Sequence, residues 1–139
     1  MKKILAYIAF SFTAITSYAT TPLWMRDVQI SPDGTEIVFC YKGDIYKIPT
    51  EGGAATQLTT QDSYECTPVW SPDGKQIAFA SDRNGNFDIF VMPANGGTAR
   101  RLTTHSTNEV PATFTPDGKY ILFSASIQDP AGSADRKST

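Results

Sequence analysis

A four-residue turn recurs three times along the chain and constrains its fold more than any other feature. Ser31-Pro32-Asp33-Gly34, Ser71-Pro72-Asp73-Gly74 and Thr115-Pro116-Asp117-Gly118 are the same device. Proline pre-sets φ at the first central position, aspartate hydrogen-bonds its own backbone, and glycine takes positive φ without a Cβ penalty. Each copy follows a short apolar segment and precedes an alternating run ending in Phe39, Phe79 or Phe123. Recurrence of a strand–turn–strand unit marks a repeat protein.

The spacing of the copies shows where the repeat varies in length. Pro32 and Pro72 are 40 residues apart, and Pro72 and Pro116 are 44 apart. The turns at Gly52-Gly53 and Gly96-Gly97 are offset by 44, as are Leu58-Thr59 and Leu102-Thr103. The four extra residues therefore fall in the hairpin between the second and third strands of the second unit. A loop insertion at fixed strand spacing is what stacked repeats tolerate.

Strands are predicted over 24–30, 36–41, 44–49 and 55–58 in the first unit. In the second they are predicted over 67–70, 75–81, 87–93 and 98–102. Val28 and Ile30 share one face of the first of these. The third unit supplies two strands around Thr115-Pro116-Asp117-Gly118. No stretch beyond residue 19 carries a 3.6-residue apolar period for ten residues, so helices are not expected. Four antiparallel strands per 40–44 residues is the period of a β-propeller blade. The expected fold is all-β: a partial propeller of two complete blades plus half of a third. Ile37, Phe39, Ile45, Trp70, Ile77, Phe79, Ile89, Phe114, Ile121 and Phe123 are its expected blade core. A sandwich and a solenoid are the alternatives.

Lys2 and Lys3 precede an apolar run from Ile4 to Ile15, and Ser17-Tyr18-Ala19 offers a cut after Ala19. This is the build of a cleavable export signal, expected over 1–19, and the run is too short to anchor in a membrane. Residues 129–139 are read as a disordered tail, leaving 20–128 for the propeller. The formal net charge of −2 becomes −4 without the leader and argues against a nucleic-acid partner. Export permits disulfides, but Cys40 and Cys66 occupy non-equivalent repeat positions, whose counterparts are Ala80 and Val110. They are read as buried free thiols.

The run from Val69 through Met92, with Gly96-Gly97 and Arg101-Leu102-Thr103, resembles the propeller repeat of TolB and of the tricorn proteases. The leader, Pro22-Leu23-Trp24-Met25-Arg26 and Tyr41-Lys42-Gly43-Asp44-Ile45-Tyr46 resemble the N-terminus of a secreted tricorn-type serine protease homologue (peptidase family S41). That resemblance implies further blades and a peptidase domain in a longer parent, for which this chain reads as a truncated product. It implies a propeller that gates or positions peptide substrate, in the periplasm or outside the cell. The alternative is a TolB-like protein-interaction module of the cell envelope with no enzymatic role. The implied partners are peptides or proteins and the rest of the parent. No membrane anchor is expected after signal cleavage.

No catalytic, cofactor-binding or metal-binding residue is assigned. A hydrolase needs a nucleophile with an activating base. The single histidine, His105, follows a strand at the position where the preceding unit has Gln61. Ser31 and Ser71 recur as turn residues and give way to Thr115 in the third copy. The segment from Asp82 to Asp88 places oxygen ligands at alternate positions, but Phe87 and Pro93 stand where a calcium loop needs glycine and glutamate. An Asn-Gly hairpin accounts for it.

Overall fold

The computed structural model describes residues 24–125. The export signal expected over 1–19 and the tail expected over 129–139 lie outside the described residues. Ten strands run in chain order: β1 (Arg26–Ile30), β2 (Glu36–Tyr41), β3 (Asp44–Pro49), β4 (Thr56–Gln57), β5 (Glu65–Trp70), β6 (Gln76–Ser81), β7 (Asp88–Pro93), β8 (Arg100–Arg101), β9 (Glu109–Phe114) and β10 (Ile121–Ala125). They pair only with sequence neighbours, antiparallel, in sheets β1-β2-β3-β4, β5-β6-β7-β8 and β9-β10. Among the described residues there is no helix.

Each sheet is a wedge, and the wedges stack face to face through their first strands, β1 against β5 and β5 against β9. Period-two alternation divides each wedge into a leading and a trailing face. The trailing face of the first wedge, with Val38, Cys40 and Ile45, meets Ile77, Phe79, Phe90 and Met92 on the leading face of the second. The trailing face of the second, with Val69, Ala78 and Val91, meets Phe114 and Ile121 of the third. Two separate cores of this kind exclude a sandwich, whose sheets share one.

The tight turns are built alike. Ser71 Oγ donates to Asp73 Oδ1 at 2.7 Å and accepts the Gln76 N–H at 2.9 Å, while Gly74 N–H closes onto the Ser71 carbonyl at 2.9 Å. Ser31 and Thr115 repeat this arrangement with Asp33 and Asp117. Gly74 has φ of 69°, and a Cβ there would stand 3.8 Å from the Pro32 ring; Gly118 meets Pro72 in the same way. The three turns therefore line up along one end of the stack.

Several strand bounds differ from expectation. β1 begins at Arg26 rather than Trp24, and β5 begins at Glu65 rather than Thr67. The reason for the second is a bulge between Cys66 and Val69, which interrupts the pattern without ending the strand. The outer strands β4 and β8 each have two residues rather than four or five. The Leu58 and Leu102 N–H groups beyond them still donate to the Ile45 and Ile89 carbonyls at 2.7 Å.

The expected blade core divides by position. Phe39, Ile45, Ile77, Phe79, Ile89 and Phe114 are buried, whereas Ile37, Trp70 and Ile121 are half-buried. Phe123 is exposed, which corrects its assignment to the core. Its counterparts Phe39 and Phe79 stack on the cross-strand rings of Tyr46 and Phe90, with centroids 5.8 and 5.9 Å apart. The third wedge has no third strand among the described residues to supply such a ring. Val28 and Ile30 are also exposed, on the leading face of the first wedge.

Candidate functional site

Strands β1, β5 and β9 sit side by side at the inner edge of the wedges, where a closed propeller would surround its channel. All three break register at the same repeat position, and in the first two the break falls at Asp27 and Thr67, forty positions apart. Both are non-glycine residues in the left-handed region, with φ of 51° and 52°. Such strain persists only when surroundings hold it. Here the Asp27 carboxylate accepts the Thr67 N–H at 3.0 Å and ties one bulge to the next. The third copy has Pro111 at this position, which offers no N–H.

The end of the stack opposite the tight turns carries the buried charges. Glu65 opens β5, fully buried, and its Oε1 accepts from Ser63 Oγ, Ser81 Oγ and Arg83 Nη2, the last two at 2.9 and 3.0 Å. The Arg83 guanidinium also lies 4.4 Å over the Phe90 ring, so it pairs with a charge and a π-face together. Asp88 opens β7 and is buried, with Arg101 Nη2 2.6 Å from its Oδ2. That contact is an ion pair without hydrogen-bond alignment, since both Asp88 oxygens and Arg101 Nε lack partners. In the first wedge the same two positions hold Asp44 and Gln57, hydrogen-bonded at 3.0 Å. Burial raises the Asp44 carboxyl above its ordinary range, partly opposed by the Thr59 hydroxyl, with nearby Glu65 adding to the rise. Glu109, the counterpart of Glu65, is buried with Oε2 unpartnered.

Backbone bonds clamp wedge to wedge at this end. Glu65 N–H donates to the Gly43 carbonyl and Glu109 N–H to the Phe87 carbonyl, both at 2.7 Å. The hairpin from Asp82 to Asp88 spends its oxygens separately: Asp82 Oδ1 accepts the Tyr64 N–H, while the Asn86 amide caps the His105 and Thr107 carbonyls. His105 is exposed, and its Nδ1 lies 3.2 Å from the Thr107 hydroxyl. The described residues contain no group of three or more His, Cys, Asp or Glu side chains arranged to hold a metal ion.

Trp24 and Tyr64, nearly in register in the sequence, line one open cavity of about 340 Å³ with Arg26, Cys40, Lys42 and Gly43. Cys40 is buried and Cys66 half-buried, and both are free. The turn residues from Ser31 to Gly34, Ser71 to Gly74 and Thr115 to Gly118 form their own row, away from the charged end. Sequence reasoning missed the buried charges, although the 44-residue offset already relates Asp44 to Asp88, Thr59 to Thr103 and Glu65 to Glu109.

Wedges of antiparallel strands, stacked on their faces with the first strands innermost, define a β-propeller module. The chain belongs to the family of the tricorn protease N-terminal β-propeller domain, whose model matches residues 22–138. The uncharacterized peptidase YuxL of Bacillus subtilis is 32% identical over 96 residues, which is 62% of this chain and 13% of that protein. A TolB structure from Agrobacterium tumefaciens aligns with TM-score 0.70 and 29% identity over 76% of this chain and 40% of its own. The tricorn protease shares the fold with TM-score 0.60 and 17% identity, over 73% of this chain and 11% of its own. The chain thus spans a minor part of each relative.

Proposed function

We propose that this chain is a non-catalytic propeller module that positions peptide substrate for a tricorn-like serine peptidase, whose peptidase domain lies outside these 139 residues. The observation that carries this reading is the family match across 22–138, joined to the likeness to the peptidase YuxL. The inner edge suits such a role chemically. Strands β1, β5 and β9 face the channel with their unpaired backbone edge, and the bulges at Asp27 and Thr67 break that edge into separate polar stations. An extended peptide supplies matching backbone donors and acceptors. Residues 1–19 act as a cleaved export signal, the propeller occupies 20–128, residues 129–139 form a tail, and the protein works in the periplasm or outside the cell.

A second reading rests on the TolB likeness at TM-score 0.70. It makes the chain an envelope protein-interaction module with no attached peptidase activity.

Photo-crosslinking with a pool of unstructured peptides, followed by mass-spectrometric mapping, tests the first reading. It expects saturable labelling within 26–30, 65–70 and 109–114 without peptide cleavage. Labelling confined to the turn end, or none, would contradict it. Stable capture of one folded envelope protein, with no peptide labelling, would favour the second.

A further inference from the structure

We propose that the cavity between the first two wedges, lined by Arg26, Lys42, Trp24 and Tyr64, binds a small aromatic anion. The two cations take its charge, and the indole and phenol rings take its flat body. The proposal stands apart from the peptide-positioning reading, since this cavity lies at the charged end of the stack and needs no backbone pairing along the inner strands.

Comparison of the two wedge interfaces carries the argument. The cavity takes its walls from β1 and the β2–β3 turn on one side and from the approach to β5 on the other, so neither wall depends on a further blade. Between the second and third wedges, the 40- and 44-residue offsets of the repeat put Tyr64, Cys66, Asp82 and Phe87 in the same place. Backbone bonds confirm the equivalence, because Glu65 N–H meets the Gly43 carbonyl as Glu109 N–H meets that of Phe87. At the second interface the Phe87 ring meets Tyr64 edge-on at 6.2 Å, and Asp82 Oδ1 accepts the Tyr64 N–H at 2.7 Å. At the first, Gly43 stands for Phe87, Lys42 for Asp82 and Arg26 for Cys66. A ring has given way to a void, and an acid to two cations. A Cβ at Gly43 would stand 3.2 Å from the Tyr64 ring, so a larger residue there would shift that wall.

The cations are free to act on a ligand. Arg26 and Lys42 are exposed and form no ion pair among the described residues, and Lys42 Nζ rests 5.4 Å from the centroid of the Tyr41 ring. The nearest acids along the chain are engaged elsewhere, Asp27 with the Thr67 N–H and Asp44 with Gln57 and Thr59. Lys42 also holds an unfavourable backbone. With Gly43 it makes a two-residue hairpin turn, at φ of 53° and 89°. Such turns favour asparagine or aspartate at the first position. Strain at the mouth of a cavity points to a use for the lysine charge. Two cations select an anion, and the rings beside them select a flat apolar body.

The test is calorimetric titration of the full chain with phenylacetate and with phenyl phosphate, each against neutral phenylacetamide. At least one anion should bind about 10-fold or more tightly than the amide. The better of the two assigns the anion as carboxylate or phosphate. Arg26→Gln and Lys42→Asn should each weaken that binding about 5-fold. Arg26→Gln should keep the melting midpoint, and Lys42→Asn should keep or raise it, since asparagine suits the turn. Lys119→Gln, at the opposite end of the stack, should leave binding unchanged. Equal affinity for the amide, no binding of either anion, or loss as large in Lys119→Gln as in the cavity variants would each overturn the proposal. So would cavity variants that bind as the wild type does.

Discussion

The Asp27 carboxylate accepts the backbone N–H of Thr67 at 3.0 Å, joining two strained residues at the same repeat position in neighbouring wedges. Asp27→Ala removes the acceptor and places alanine in the left-handed region, where aspartate is better tolerated. The expected cost is about 1–2 kcal/mol, read from urea midpoints. Thr67→Gly keeps the N–H and relieves a β-branched residue of positive φ. It should change stability by less than about 1 kcal/mol, because relief of strain offsets glycine's entropy. Equal losses in both variants would mean that the bulges are not held this way.

Ser71 is buried while its hydroxyl serves Asp73 and the Gln76 N–H together. Ser71→Ala should lose about 1–2 kcal/mol by chemical denaturation. Ser71→Thr should lose little, since Thr115 performs the same task in the third copy.

Arg83→Ala leaves the Glu65 carboxylate buried with only serine hydroxyls. About 2–3 kcal/mol of destabilisation is expected. Adding Glu65→Gln should recover part of it, because the uncompensated charge is gone. A double variant no better than Arg83→Ala would show that the arginine acts through its packing on Phe90 instead.

Asp33, Asp73 and Asp117 are held below the ordinary carboxylate value, chiefly by the hydroxyls of Ser31, Ser71 and Thr115 and then by backbone N–H groups. A depressed acid stabilises the fold above its unfolded value and loses that contribution as pH falls through the folded one. Melting temperature should therefore drop below about pH 4. Asp44, raised by burial, works in the opposite sense and blunts the upper part of the fall. Ser71→Ala should weaken the dependence.

Burial pushes the Cys40 thiol up to about 12 and raises Cys66 as well. Since the thiolate is the nucleophile, iodoacetamide at pH 8 should label native protein slowly. Both thiols should react once the chain unfolds without reductant. Rapid native labelling would contradict the packing, and unreactive unfolded protein would reveal a disulfide.

The turns and inner strand pairs were legible because their chemistry is local: Pro, Asp and Gly dictate the reversal, and alternation dictates the pairing. Phe123 differs from Phe39 and Phe79 because, among the described residues, no third strand of its wedge supplies a cross-strand ring. The bulges at Asp27 and Thr67 carry no glycine to announce them, so strand 65–70 looked shorter than it is. Glu65, Asp88 and Arg101 read as ordinary polar residues, because their burial depends on pairings between strands and wedges.

Methyl and aromatic NOE spectroscopy on the labelled chain tests the wedge stack most directly. Cross-peaks are predicted from Val38 and Ile45 to side chains among Ile77, Phe79 and Met92, and from Ala78 or Val91 to Phe114. None is predicted from Val38 or Ile45 to Phe114 or Ile121. Strong peaks of that last kind would place the first and third wedges in one core and contradict the propeller.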